Sequence, residues 1–220
     1  MNELPASPYH TEPAPAPQSV RVALPTIAPT VTYTLIAVTV FVYVLHQLLS
    51  VAVLGYAANQ IDWLEVYGAR FNSVIRAGEI WRFITPIFLH GSIPHIFFNM
   101  YALFSIGTLL ERHFGHGRFA LLYFLAGFTG NVFSFLLTGE NGYSVGASTA
   151  VFGLIAAEVA FFYHNRKLFG GQARQAISNA GVIIAINLVI GFHPALTIGA
   201  MWAACWAAPY SHGSPVRAGR

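Results

Sequence analysis

Apolar residues fall along this chain in blocks about as long as a membrane span, separated by shorter polar stretches. A bilayer core about 30 Å thick takes roughly 20 apolar residues per helix. Five blocks approach or meet that length: residues 31–54, 93–110, 119–138, 145–163 and 176–192. A sixth, residues 195–209, is short for the purpose, since its helix would reach only about 22 Å. Between the first two blocks lies "GYAANQIDWLEVYGARFNSVIRAGEIWRFITPIFLHGS", which mixes charges with aromatics and predicts a structured interfacial element. The pattern predicts an all-α fold, a polytopic membrane helix bundle with five clear spanning helices and a short sixth. No internal repeat and no second domain are visible.

Composition supports a bilayer. Of 220 residues, 55% are hydrophobic and 9% charged, against about 25% charged in soluble domains. A net charge of +3, spread along the chain, gives nucleic acid no footprint. The single cysteine, Cys205, excludes an internal disulfide. Residues 1–30 begin "MNELPASPYHTEPAPAPQSV", without a basic segment leading into an apolar run. They read as a disordered Pro/Ala-rich tail rather than a signal peptide, and the membrane domain is expected over residues 31–209. Basic residues gather in "ERHFGHGR" (111–118) and "YHNRKLFGGQAR" (163–174). The positive-inside rule then predicts a cytoplasmic N-terminus, with the long loop and residues 144–148 near the outer face.

Polar groups inside such blocks cost free energy unless paired, which makes each a candidate for function. In "HGSIPHIFFNM", His95 and Asn99 are four apart and share a helical face, with His90 just before it. In "SVGASTAVFGLIAAE", Ser148 follows Gly146 and Ala147, small residues that permit close backbone approach. Glu158 lies further along the same block. Each has a plainer reading. Ser148 can be a helix cap, His95 and Asn99 a helix–helix hydrogen bond, and Glu158 a structural group or one reaching towards Arg166 or Lys167. No metal or nucleotide motif appears, so no cofactor is expected.

Taken together, "GEIWRFITPIFLHGSIPHIFFNMYALFSIGTLLE" (78–111), "GRFALLYFLAGFTGN" (117–131) and "SVGASTAVFGLIAA" (144–157) resemble the rhomboid family of intramembrane serine proteases. The resemblance covers about residues 60–192 and implies a rhomboid-type bundle. It makes Ser148 the nucleophile, activated by a histidine base in a Ser–His dyad. His95, Asn99 and the Ser148 N–H would form the oxyanion hole. Arg82 and Glu111 match positions that support the first loop. The implied partners are transmembrane protein substrates and the lipid bilayer, and the implied location is a bacterial inner membrane. One mild departure is Thr149, where the family often has glycine.

The larger departure is the base. The family carries it in a motif like Asn-Trp-Gly-His-x-Gly-Gly on the sixth helix. Here the chain reads "HPALTIGAMWAACWAAPYSHGSPVRAGR". His193 is the weak candidate, too early at the end of the fifth block, and His212 lies beyond the apolar stretch. The genetic code offers an account. Take the third base of each codon with the first two of the next. The junctions Met201–Trp202, Trp202–Ala203, Cys205–Trp206 and Trp206–Ala207 are then forced to Val, Gly, Leu and Gly. With permitted codons from His193 onward, that frame reads Pro-Gly-Ile-Asp-Asn-Trp-Gly-His-Val-Gly-Gly-Leu-Leu-Gly-Gly, which is the absent motif. The expectation is a change of frame near residue 192, making 193–220 a frameshifted tail.

Two functions follow. One is a serine endopeptidase that cleaves transmembrane segments. The other is a catalytically inactive relative that binds transmembrane clients without cutting them. A channel or transporter has little support, because no inverted repeat is visible.

Overall fold

The structure, a computed structural model, describes residues 27–54 and 63–190. Five long helices dominate: α1 (Thr30–Leu54), α2 (Ile93–Phe114), α3 (His116–Leu137), α4 (Ser148–His164) and α5 (Gly171–Ile190). Residues 1–26 of the expected 1–30 tail, the sixth block, Cys205, His193 and His212 lie outside the described residues, and Thr30, given to that tail, opens α1. Among the described residues, α1 through Leu48, α2 and α3 are long and apolar enough to cross a membrane, and α4 is a shorter apolar helix.

The helix bounds follow local chemistry and shift several expected ones. α2 begins where Ser92 accepts the His95 N–H at 3.3 Å and Pro94 needs no partner for a missing N–H. It continues past the expected end at residue 110 to Phe114, through a π turn over Leu103–Gly107. Gly115, at φ +84°, turns the chain straight into α3, so that helix starts at His116 rather than at 119. α5 starts at Gly171 rather than at 176. The largest correction for function is at α4. Its expected start was residue 145, but Tyr143–Ser144 form a strand and Gly146 sits at φ +119°, which a right-handed helix cannot contain. The helix therefore opens on Ser148 itself.

α4 is the central post. It packs against α3 on one side and α5 on another, and residues Thr149–Ile155 are all buried. Gly127 of α3 lets the two helices close: a Cβ there would lie 3.1 Å from Ile87 and 3.4 Å from Ala150. The outer faces of the other helices expose Phe41, Leu48, Phe97, Leu121, Leu136 and Val182. Such surfaces suit lipid and would be a liability in water.

The long loop is structured, as its composition suggests. It holds short helices over Trp63–Gly68 and Asn72–Arg76 and 3₁₀ turns over Ile80–Phe83 and Thr85–Phe88. Between them β1 (Arg70–Phe71) pairs antiparallel with β2 (Tyr143–Ser144), Arg70 opposite Ser144. Arg82 holds this loop. Its guanidinium donates to Glu79, to the Ala69 carbonyl at 2.7 Å and to the Val66 carbonyl at 2.6 Å. Asn131 of α3 donates to the Phe83 carbonyl at 3.0 Å and moors the loop to the bundle.

Glu111 does something other than the loop support expected of it. Its carboxylate is fully buried at the start of α1, where it accepts the N–H groups of Val31 (2.8 Å) and Thr32 (2.7 Å) and the Thr32 hydroxyl (2.6 Å). His116 lies 2.6 Å from its other side. First-turn N–H groups have no partner within their own helix, and a carboxylate complements the positive end of the helix dipole. Glu111 thus fastens α1 to α2.

Candidate active site

The segment leading into Ser148 is held from two sides. The Gly146 N–H donates to the Pro86 carbonyl at 2.8 Å, anchoring the turn on the long loop. The His95 imidazole lies flush against the same glycine: a Cβ on Gly146 would stand 2.6 Å from its Nε2 and 2.7 Å from its Cε1. Both the contact and the φ of +119° require glycine here. The Ala147 N–H donates to His90 Nε2 at 3.4 Å. The two imidazoles meet edge to face, ring centroids 4.9 Å apart. They bracket the backbone immediately before Ser148.

His90 is the residue whose part the sequence only hinted at. It is 1% exposed, and burial, with His95 beside it, pushes its imidazole down to about 3. A neutral ring leaves Nε2 free to accept from Ala147, the bond observed. The sequence signal was its position just ahead of the His95/Asn99 face; its partner, 57 residues away, is not visible in any local pattern.

Asn99 lies one turn beyond His95 and is 2% exposed. Its Nδ2 donates to the His95 carbonyl at 2.9 Å. An amide carries two donor hydrogens, so one remains for another acceptor, and Oδ1 is buried without a partner. Ser148 is half-buried at the first position of α4. The first intrahelical bond of that turn, from Val151 N–H to the Ala147 carbonyl at 2.9 Å, leaves the N–H of Ser148 without an intrahelical acceptor. The structure therefore sets the His95 ring against Gly146, two residues before Ser148, with Asn99 one turn further along α2. Ser148 with its N–H, His95 and Asn99 are the candidate cluster, with free donors of the kind that charge on a ligand oxygen needs.

Other residues singled out from the sequence lie elsewhere. Arg82 and Glu111 are framework groups, as described above. Glu158 is buried at the opposite end of α4. It does not reach Arg166 or Lys167; Arg166 stacks on Tyr163 and donates to its carbonyl at 3.2 Å. Among the described residues, no group of three or more His, Cys, Asp or Glu could hold a metal.

Comparison with known proteins joins these observations. The Rhomboid domain profile matches residues 77–207, which includes every residue of the cluster and runs on past Phe192. "Rhomboid protease GluP" of Bacillus subtilis (strain 168) is 42% identical over 164 residues, 74% of this chain and 30% of that protein. "RHOMBOID-like protein 1" of Arabidopsis thaliana is 39% identical over 132 residues, 60% of this chain and 33% of its own length. "Inactive RHOMBOID-like protein 8" of the same plant is 32% identical over 141 residues, 64% of this chain and 39% of that protein. The chain spans about a third of the length of these relatives.

Proposed function

Because the chain belongs to the rhomboid family, and is an integral membrane protein, we propose that its polar cluster is the site of an intramembrane serine endopeptidase. Ser148 is the nucleophile. Its hydroxyl attacks a carbonyl of the client's transmembrane segment once a base removes the proton, since an unassisted serine is too weak. The oxygen of the tetrahedral intermediate takes the negative charge and is met by the Ser148 N–H, the Asn99 amide and His95. Losing one such donor typically costs about 10²–10³ in rate. Collapse of that intermediate breaks the peptide C–N bond, the amine leaving with the proton the base had taken, and water then hydrolyses the ester on Ser148 to release the other fragment as a carboxylic acid. The observation that carries the reading is the His95 ring seated on Gly146 beside Ser148, with Asn99 next on the same face.

The base completes the dyad from residues beyond 190. His193 is the weak candidate within the chain as written. A change of reading frame near residue 192 accounts for the absence of the family motif and would restore a histidine between the codons of Ala200 and Met201. The active form sits in a bacterial inner membrane with its N-terminus in the cytoplasm and acts on single transmembrane segments of other proteins. A second reading, a client-binding relative that does not cut, is favoured by the missing motif and by the similarity to an inactive plant relative. Loss of a base histidine costs a serine protease about 10⁶ in kcat.

The test has two steps. Sequencing the gene across codons 185–210 from fresh genomic DNA shows whether one base is gained or lost there. A serine-directed phosphonate then reports the site. The frame-corrected protein should label at Ser148, and Ser148→Ala should abolish labelling. If the chain as written labels, and His193→Ala leaves that labelling intact, His193 is excluded as the base. Absence of labelling in the corrected protein would overturn the protease reading.

A further inference from the structure

At the end of the bundle away from Ser148, α5 packs along α4 and leaves a cavity of about 420 Å³ between itself and α2. Glu158 of α4 lies on its wall, 4% exposed, with Oε2 buried and without a hydrogen-bond partner. Six residues before the end of α4, that carboxyl sits about 9 Å in from the helix terminus. The π turn of α2 brings Ser105 to the same cavity. On α5, Gln175 donates to Asn179 Oδ1 at 3.1 Å, which leaves the Gln175 carbonyl oxygen as a further acceptor. Phe162 and Ile183 supply apolar wall.

An ionisable group this deep in a membrane bundle is costly and needs a partner. The charged or titratable groups facing the cavity from the packed elements are Arg112 and His113 of α2. Neither pairs with Glu158. Arg112 is exposed at the rim. His113 bonds the Leu109 carbonyl at 2.8 Å and is enclosed by Phe161, Phe162 and Phe169. The cavity thus has the Glu158 carboxyl on its wall, Ser105 and Gln175 exposed at its mouth, and no cation of its own on the carboxyl. Its volume and apolar wall suit one long side chain with an apolar stem and a cationic tip.

We propose that this cavity is a specificity site that receives a lysine or arginine from the client's transmembrane segment, placed in the half of that segment away from the cleaved end. Lysine and arginine bury their methylene stems while their heads seek a polar partner. A client with such a residue relieves two costs together, its own cation in lipid and the unpaired Glu158. The inference rests on the client-binding part of the function proposed above and is independent of whether the chain can cut.

The test is binding, read by fluorescence transfer in nanodiscs. It uses the full chain and two single-span peptides that differ only by lysine or leucine in the half of the span away from the cleaved end. The lysine peptide should bind on the order of tenfold tighter, equivalent to about 1.4 kcal/mol. Glu158→Gln should erase that preference, and a preference that survives it overturns the specificity site. Arg112→Gln should strengthen it, because it removes the competing cation at the rim. Equal binding of both peptides to the wild-type chain overturns the specificity site alone. So does an Arg112→Gln variant that loses the preference, which would make Arg112 the partner of Glu158. Binding of neither peptide overturns the client-binding reading with it.

Discussion

Glu111 and Glu158 are both buried carboxylates at the same end of the bundle, and their surroundings are opposite. Glu111 is met by the N–H groups of Val31 and Thr32, the Thr32 hydroxyl and His116. Glu158 has one buried oxygen without a hydrogen-bond partner and lines a cavity. The same contrast recurs with two buried asparagines. Asn72 aims its Nδ2 at the carbonyls of Phe135, Thr138 and Gly139 and its Oδ1 at Arg70. Asn99 keeps Oδ1 unpaired, one turn beyond His95. Burial does not separate the members of either pair; the state of their hydrogen-bonding atoms does. Glu111 and Asn72 are consumed by the fold, while Glu158 and Asn99 are left with capacity to spare.

The strongest way to break this contrast is to delete the two carboxylates in turn. Glu111→Ala should destabilise the protein by about 4 kcal/mol, because hydrogen bonds to a charged group contribute roughly 1.5–3 kcal/mol each and two α1 N–H groups lose their acceptor. Glu158→Leu should be neutral or mildly stabilising, since it removes an unpaired buried group. Unfolding in detergent, followed by helix signal against denaturant, measures both. Equal losses would end the distinction. The asparagines give a smaller version. Asn72→Leu should cost about 2 kcal/mol and Asn99→Leu no more than about 0.5 kcal/mol, whatever happens to catalysis. If Asn99→Leu proves the costlier, that residue is a framework group.

The smallest effect concerns pH and sharpens the contrast at the site itself. His90 is held neutral when folded, with its pKa lowered to about 3, while an unfolded histidine takes a proton near 6.5. Between those values the unfolded state binds more protons. Stability therefore falls as pH drops through about 6.5 and keeps falling towards 3, amounting to at most about 2 kcal/mol between pH 7 and pH 5. His90→Gln should flatten that slope in the same unfolding experiment. A slope unchanged by the substitution would assign it to other groups.

The sequence carried the helical blocks and the candidate residues because both are local signals. Helical periodicity put His95 and Asn99 on one face, and the small residues before Ser148 marked a close approach. What it could not carry was pairing over long distances. Glu111 and α1 are 79–80 residues apart, and nothing near Glu111 announces that it closes a helix terminus. The start of α4 was misplaced because Val145 and Gly146 continue an apolar run, although the glycine that breaks the helix was in plain view. The cavity beside Glu158 depends on a gap between helices, which no periodicity encodes. Of the residues offered for the site, His95 lies against Gly146, two residues before Ser148, Asn99 bonds the His95 carbonyl, and His193 lies outside the described residues.

The short ladder between β1 and β2 has a consequence for the order in which the protein is made. It joins Arg70 and Phe71, synthesised early, to Tyr143 and Ser144, which emerge only after α3 is complete. The long loop therefore cannot settle until the chain reaches the threshold of α4, and such distant pairings are slow to form. Once they do, Pro86, His90 and His95 hold the turn before Ser148, all three of them made before α3. A ribosome that slips or reads an altered message near residue 192 would do so only after every one of those contacts has been translated. Damage confined to the end of the gene would then leave that frame encoded in full.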